Sequence, residues 1–123
     1  MAAASGEPRK LDERQVVEKF KALRSHETSL ISKIAELQAE LREHEMVLGV
    51  LGPLPDSRRC YRMAGEMLLE QTVVDVKPAV AEHKEGIEKL IAQLEQALTS
   101  KTKERQEFQT KHNIVVRQPG APQ

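Results

Sequence analysis

One apolar seam constrains this chain more than any other feature. Residues spaced alternately by four and three run Val16, Phe20, Leu23, Glu27, Leu30, Ile34, Leu37, Leu41, His44, Leu48 and Leu51. All but Glu27 and His44 are apolar, and the spacing never breaks. Heptads sustained over that length predict a coiled-coil helix, because only a facing helix covers so narrow a stripe. Such a helix holds about 40 residues and is roughly 60 Å long. Asp12 is a good N-cap, and Gln15 three residues on makes a variant of the capping box. Leu11 and Val16 occupy the positions of a hydrophobic staple. Gly52-Pro53-Leu54-Pro55 cannot continue a helix, so the expected span is about 12–51.

Composition agrees with long helices rather than a packed globule. Of the 123 residues 31% are charged, and the only rings of the Phe, Tyr and Trp type are Phe20, Tyr61 and Phe108. Lys and Arg number 19, as do Asp and Glu. That balance argues against a dedicated nucleic-acid binder or an anchor for anionic membranes, both of which need excess basic charge. Cys60 is the single cysteine, so an internal disulfide and a cysteine-based zinc site are excluded. No apolar run approaches the roughly 20 residues that span a bilayer. The opening Met1-Ala-Ala-Ala-Ser-Gly-Glu-Pro lacks the apolar stretch of a secretory signal. A cytoplasmic location is therefore expected, with the nucleus as the alternative. Residues 1–11 and 113–123 read as flexible tails around a single domain, 12–112.

The heptad disappears over residues 56–74. Arg59–Met63 and Met67–Val74 can be extended and are separated by Ala64-Gly65, which predicts a β-hairpin over about 57–74. With Ala64-Gly65 as the loop, Tyr61 faces Leu68, Cys60 faces Leu69, and Arg59 pairs with Glu70. A slip of one residue would exchange the faces. A second helix is expected over about 76–112, starting between Asp75 and Pro78. Its seam is Ile87, Ile91, Leu94, Leu98, Lys101, Arg105, Phe108 and His112, with Asn113 as the stop.

A returning helix runs antiparallel, so partners share a constant sum of residue numbers. A sum of 128 pairs Leu41 with Ile87, Leu37 with Ile91, Ile34 with Leu94 and Leu30 with Leu98. The same register sets Glu27 opposite Lys101, Phe20 opposite Phe108, Leu23 opposite Arg105 and Val16 opposite His112. A fold of this kind has one thin seam, and two strands alone are marginal in water. Other subunits must complete the sheet. Cys60, Tyr61, Met63, Met67 and Leu69 are therefore expected at a subunit interface. The far ends of the helices pair poorly. Val16, Phe20, Leu23, Phe108, Ile114 and Val115 there are candidates for transient hydrophobic contact.

Several strings resemble the β-type prefoldin subunits. They are Arg59-Cys60-Tyr61-Arg62-Met63-Ala64-Gly65, Leu69-Glu70-Gln71-Thr72-Val73, Val76-Lys77-Pro78 and Phe108-Gln109-Thr110-Lys111-His112-Asn113-Ile114. The family's usual Gly-Gly turn stands here as Gly65-Glu66. The resemblance runs from about Gln15 to Val116. It implies a mainly α fold, an antiparallel two-helix coiled coil whose central β-hairpin joins an inter-subunit β-barrel hub. It further implies one arm of an ATP-independent chaperone hexamer of two α-type and four β-type chains. The tips of such an assembly capture unfolded actin and tubulin and pass them to the cytosolic chaperonin.

Nothing in the chain suggests an enzyme or a cofactor. His26-Glu27 and His44-Glu45 begin like a zinc-protease helix motif, but Leu30 and Leu48 stand where its second histidine belongs. The four histidines are far apart in sequence, and no metal site is expected; His44 reads as a register-setting polar residue in the seam. Gly-rich phosphate loops, nucleophile elbows and paired acids are absent, and Cys60 reads as a structural thiol. The competing reading is a structural coiled-coil adaptor or tethering subunit, which would have no need of the hairpin.

Overall fold

The computed structural model describes residues 10–116. The order is α1 (Glu13–Leu51), β1 (Arg59–Ala64), β2 (Met67–Thr72) and α2 (Val73–Lys111). Each helix has 39 residues. They pack antiparallel along their length, and the two-stranded sheet sits at the end where α1 stops and α2 starts. The expected mainly α fold, two antiparallel helices with a central β-hairpin, is observed.

The N-terminus of α1 is closed by side chains. Gln15 donates its backbone N–H to the Asp12 carboxylate at 2.8 Å, and the Gln15 side chain accepts from the Asp12 N–H at 3.0 Å. Two otherwise orphaned donors are thereby satisfied. At the other end α1 stops at Leu51, with Gly52 capping it.

α2 starts at Val73, earlier than expected, and Pro78 lies inside it. The reason is tertiary. The Val73 N–H donates to the Arg58 carbonyl at 2.9 Å and the Val74 N–H to Asp56 at 3.1 Å. The connecting loop thus supplies acceptors that the first turn needs. Val73 is fully buried there. α2 ends in a Schellman motif: Asn113 has φ 52°, Ile114 N–H reaches Gln109 O at 3.0 Å, and Asn113 N–H reaches Thr110 O at 3.3 Å. Residues 113 and 114, expected in a flexible tail, are therefore tied to the helix. Residues 1–9 and 117–123 of the two expected tails lie outside the described residues.

All nineteen positions of the two seams are buried or half-buried. Ile34, Leu37 and Ile91 form the centre, with Leu41, Ile87, Leu94 and Leu98 packed against them. Leu30 is half-buried in the same line. The seam also continues toward the hairpin through Val73, Val76 and Val80, beyond its expected start at Ile87.

One expected pairing is corrected. Glu27 meets Arg105 and Thr102 rather than Lys101, which pairs with Glu104 on its own helix. An arginine one turn further along reaches the buried carboxylate through Nε while its Nη1 donates to Gln109 at 3.0 Å.

Candidate functional site

The hairpin register is Arg59↔Thr72, Cys60↔Gln71, Tyr61↔Glu70, Arg62↔Leu69, Met63↔Leu68 and Ala64↔Met67. The loop is therefore Gly65-Glu66, and the expected Ala64-Gly65 loop is corrected. Gly65 has φ 64° and is the only described glycine with positive φ. A two-residue loop with glycine in that conformation at its first position fits a type II′ turn, whose twist suits the strands. Relative to the expected register, β2 slides by two residues. An even slide preserves the faces. The Arg59–Glu70 ion pair also survives, at 3.1 Å, as a diagonal neighbour rather than a direct one.

One face of the sheet thus carries Arg59, Tyr61, Met63, Leu68, Glu70 and Thr72, and the other Cys60, Arg62, Ala64, Met67, Leu69 and Gln71. Of the five expected interface residues, Tyr61 and Met63 lie on the first face; Cys60, Met67 and Leu69 lie on the second. Tyr61, Met63, Met67 and Leu68 are between 64% and 67% exposed, Leu69 is exposed, and Cys60 is half-buried. Leu68 was missed from the sequence; its signal was its alternation with Glu70 on the Tyr61 face. Both sheet faces therefore present apolar side chains to solvent, on strands with one neighbour each. An isolated pair of strands cannot bury such surface, and each strand leaves an edge of unpaired backbone groups. The arrangement can bind polypeptide by completing a sheet.

Where the hairpin meets the helices, a groove of about 400 Å³ is lined in part by His44, Val47, Cys60, Tyr61, Val76 and His83. The opposite end of the molecule, some 39 residues along each helix, holds the other candidates. Leu23 and Phe108 are buried, so both belong to the packing between the helices rather than to a free surface. Lys19 approaches the Phe108 ring at 5.2 Å, and the His112 ring lies against it, tilted by 48° with centroids 4.4 Å apart. Phe20 is half-buried beneath the Arg24 guanidinium, 5.9 Å away, so each phenylalanine takes a cation or imidazole in place of the expected ring pair. Val16 and Ile114 are half-buried, and Val115 is 88% exposed. Ile114 and Val115 border an open cleft of about 420 Å³ with Gln106, Gln109, Thr110 and Asn113.

The molecule is a long antiparallel helical hairpin with a two-stranded β-hairpin at its bend. The family model for prefoldin subunits matches residues 14–118, and the chain belongs to that family. It is 47% identical over 100 residues to human prefoldin subunit 2, covering 81% of this chain and 65% of that one. Identity to the probable prefoldin subunit 2 of Dictyostelium discoideum is 32%, over 91% of this chain and 97% of that one. The chain spans 65% of the length of the mammalian relatives it matches. The crystal structure of the prefoldin beta subunit from Thermococcus strain KS-1 has the same fold. Its TM-score is 0.75 at 17% identity, over 91% of this chain and all of that one.

Proposed function

We propose that this chain is a β-type subunit of a heterohexameric prefoldin. In that reading it joins two α-type and three further β-type chains through its hairpin, in the cytoplasm. The coiled coil is then a non-catalytic arm whose tip holds unfolded actin and tubulin without ATP and passes them to the cytosolic chaperonin. The observation that carries the reading is the hairpin, with apolar side chains exposed on both faces and two open edges. Family membership supports it. At the tip, Val115 and the half-buried Val16, Phe20 and Ile114 give only weak apolar contact. Several such arms combine weak contacts by avidity, while a highly charged surface limits permanent sticking.

Native mass spectrometry of the tagged protein purified from its own cells tests assembly. Six different small subunits are expected; a homodimer or one stable large partner refutes the reading. Tyr61→Asp, which places a charge on the exposed apolar face, is expected to block entry into the complex. Removing residues 1–20 and 109–123 is expected to leave assembly intact and weaken retention of denatured actin. Undiminished retention refutes the division between hub and tip.

A further inference from the structure

We propose that His44 and His83 form an interhelical binding site for a divalent transition-metal ion of the Zn²⁺ type, at the hairpin end of the coiled coil. The two residues are 39 positions apart in sequence, on different helices, and the antiparallel register brings their ring centroids to 6.0 Å. Both line the groove beneath the hairpin. Two imidazoles on one tetrahedral zinc ion, with Zn–N about 2.1 Å, have centroids about 5.5 Å apart. The observed centroid separation is within about 1 Å of that value, with the two rings tilted by 48° to each other.

A second observation concerns the state of the ring. His44 Nδ1 lies 2.8 Å from the Glu40 carbonyl oxygen. A carbonyl only accepts, so Nδ1 carries a proton, and in the neutral ring Nε2 keeps its lone pair. Histidine ligands are held this way in metal sites, with one ring nitrogen donating to a carbonyl while the other faces the ion. His44 is half-buried and fixed by that bond; His83 is exposed and free to turn toward it.

The other charged or titratable groups lining the groove are Glu43, Arg62, Cys60 and Tyr61. Among the described residues, no group of three or more His, Cys, Asp or Glu comes together as a metal set. The site is therefore an open two-histidine chelate with water at the remaining positions, and binding through it is exchangeable. Imidazole donors suit zinc, copper and nickel and discriminate against magnesium and calcium.

The test is titration of the full chain with ZnCl₂ against a chromogenic chelator, at pH 7.5 and at pH 5.5. One ion per chain is expected at the higher pH. At the lower pH binding is expected to weaken, because a metal ion takes only the neutral form of an imidazole ligand. His83→Asn, at an exposed position, and His44→Gln are each expected to weaken binding by on the order of tenfold or more, with the double variant adding little. His26→Asn and His112→Asn are expected to leave it unchanged. Wild-type affinity in His83→Asn, or loss in either of the last two variants, overturns the site.

Discussion

The Glu27–Arg105 pair is the place to test how polar groups act in this seam. Glu27 is the one charged residue buried among the described residues, and its carboxylate accepts from both the Arg105 guanidinium and the Thr102 hydroxyl at 2.9 Å. The side chains of Arg105 and Glu27 are 19% and 11% exposed. Arg105→Met leaves the carboxylate buried with Thr102 alone. Breaking a fully buried pair costs about 3–5 kcal/mol, and residual exposure reduces that here to about 2–3 kcal/mol. Replacing both residues, as Glu27→Leu with Arg105→Met, removes both desolvation penalties and fills the seam with apolar volume. That double variant is expected to match or exceed wild-type stability by about 1 kcal/mol. It also loses the feature that ties one register to one turn, since apolar side chains accept a slide that a charge pair does not. Urea unfolding followed by far-ultraviolet circular dichroism, at fixed chain concentration, measures all four corners of the cycle. A loss below about 0.5 kcal/mol for Arg105→Met, or a double variant that loses the sum of the singles, refutes the reasoning.

Gly65→Ala puts a Cβ into open space but at φ 64°, so the cost is backbone strain of about 1–2 kcal/mol, read as faster amide exchange in both strands. Asp12→Ala removes the capping box and is expected to cost about 1 kcal/mol, confined to fraying of the first turn of α1; Asp12→Asn retains most of it. Val73→Ala leaves a cavity at a fully buried position between loop and helix, costing about 2 kcal/mol in thermal unfolding.

The seam was legible because a heptad is a local signal. Each residue from Val16 to Leu51 announces its face by its spacing alone, and the capping box and the Gly-Pro stop mark the ends by short-range chemistry. The strands were legible as alternating apolar runs, but their loop was not. Ala64-Gly65 and Gly65-Glu66 differ by one position, and the choice turns on which residue takes positive φ, which depends on strand twist. The start of α2 failed for a related reason. Pro78 normally marks a first turn, and the carbonyls of Asp56 and Arg58 that allow an earlier start are unseen until the loop folds. At the tip, the residue-number sum set Leu23 against Arg105 and Phe108 against Phe20, and both were candidates for a free surface, yet both are buried between the helices.

The sequence by itself determined two long helices, the bend between them, and the list of residues that face inward, because period and punctuation act over a few residues. Only the tertiary structure decided which residue meets which across the seam. It set Glu27 against Arg105 rather than Lys101, and His44 beside His83 although 39 positions separate them. Those pairings depend on how far each side chain extends and on the axial offset of two helices, and neither quantity is written in the spacing of one chain segment.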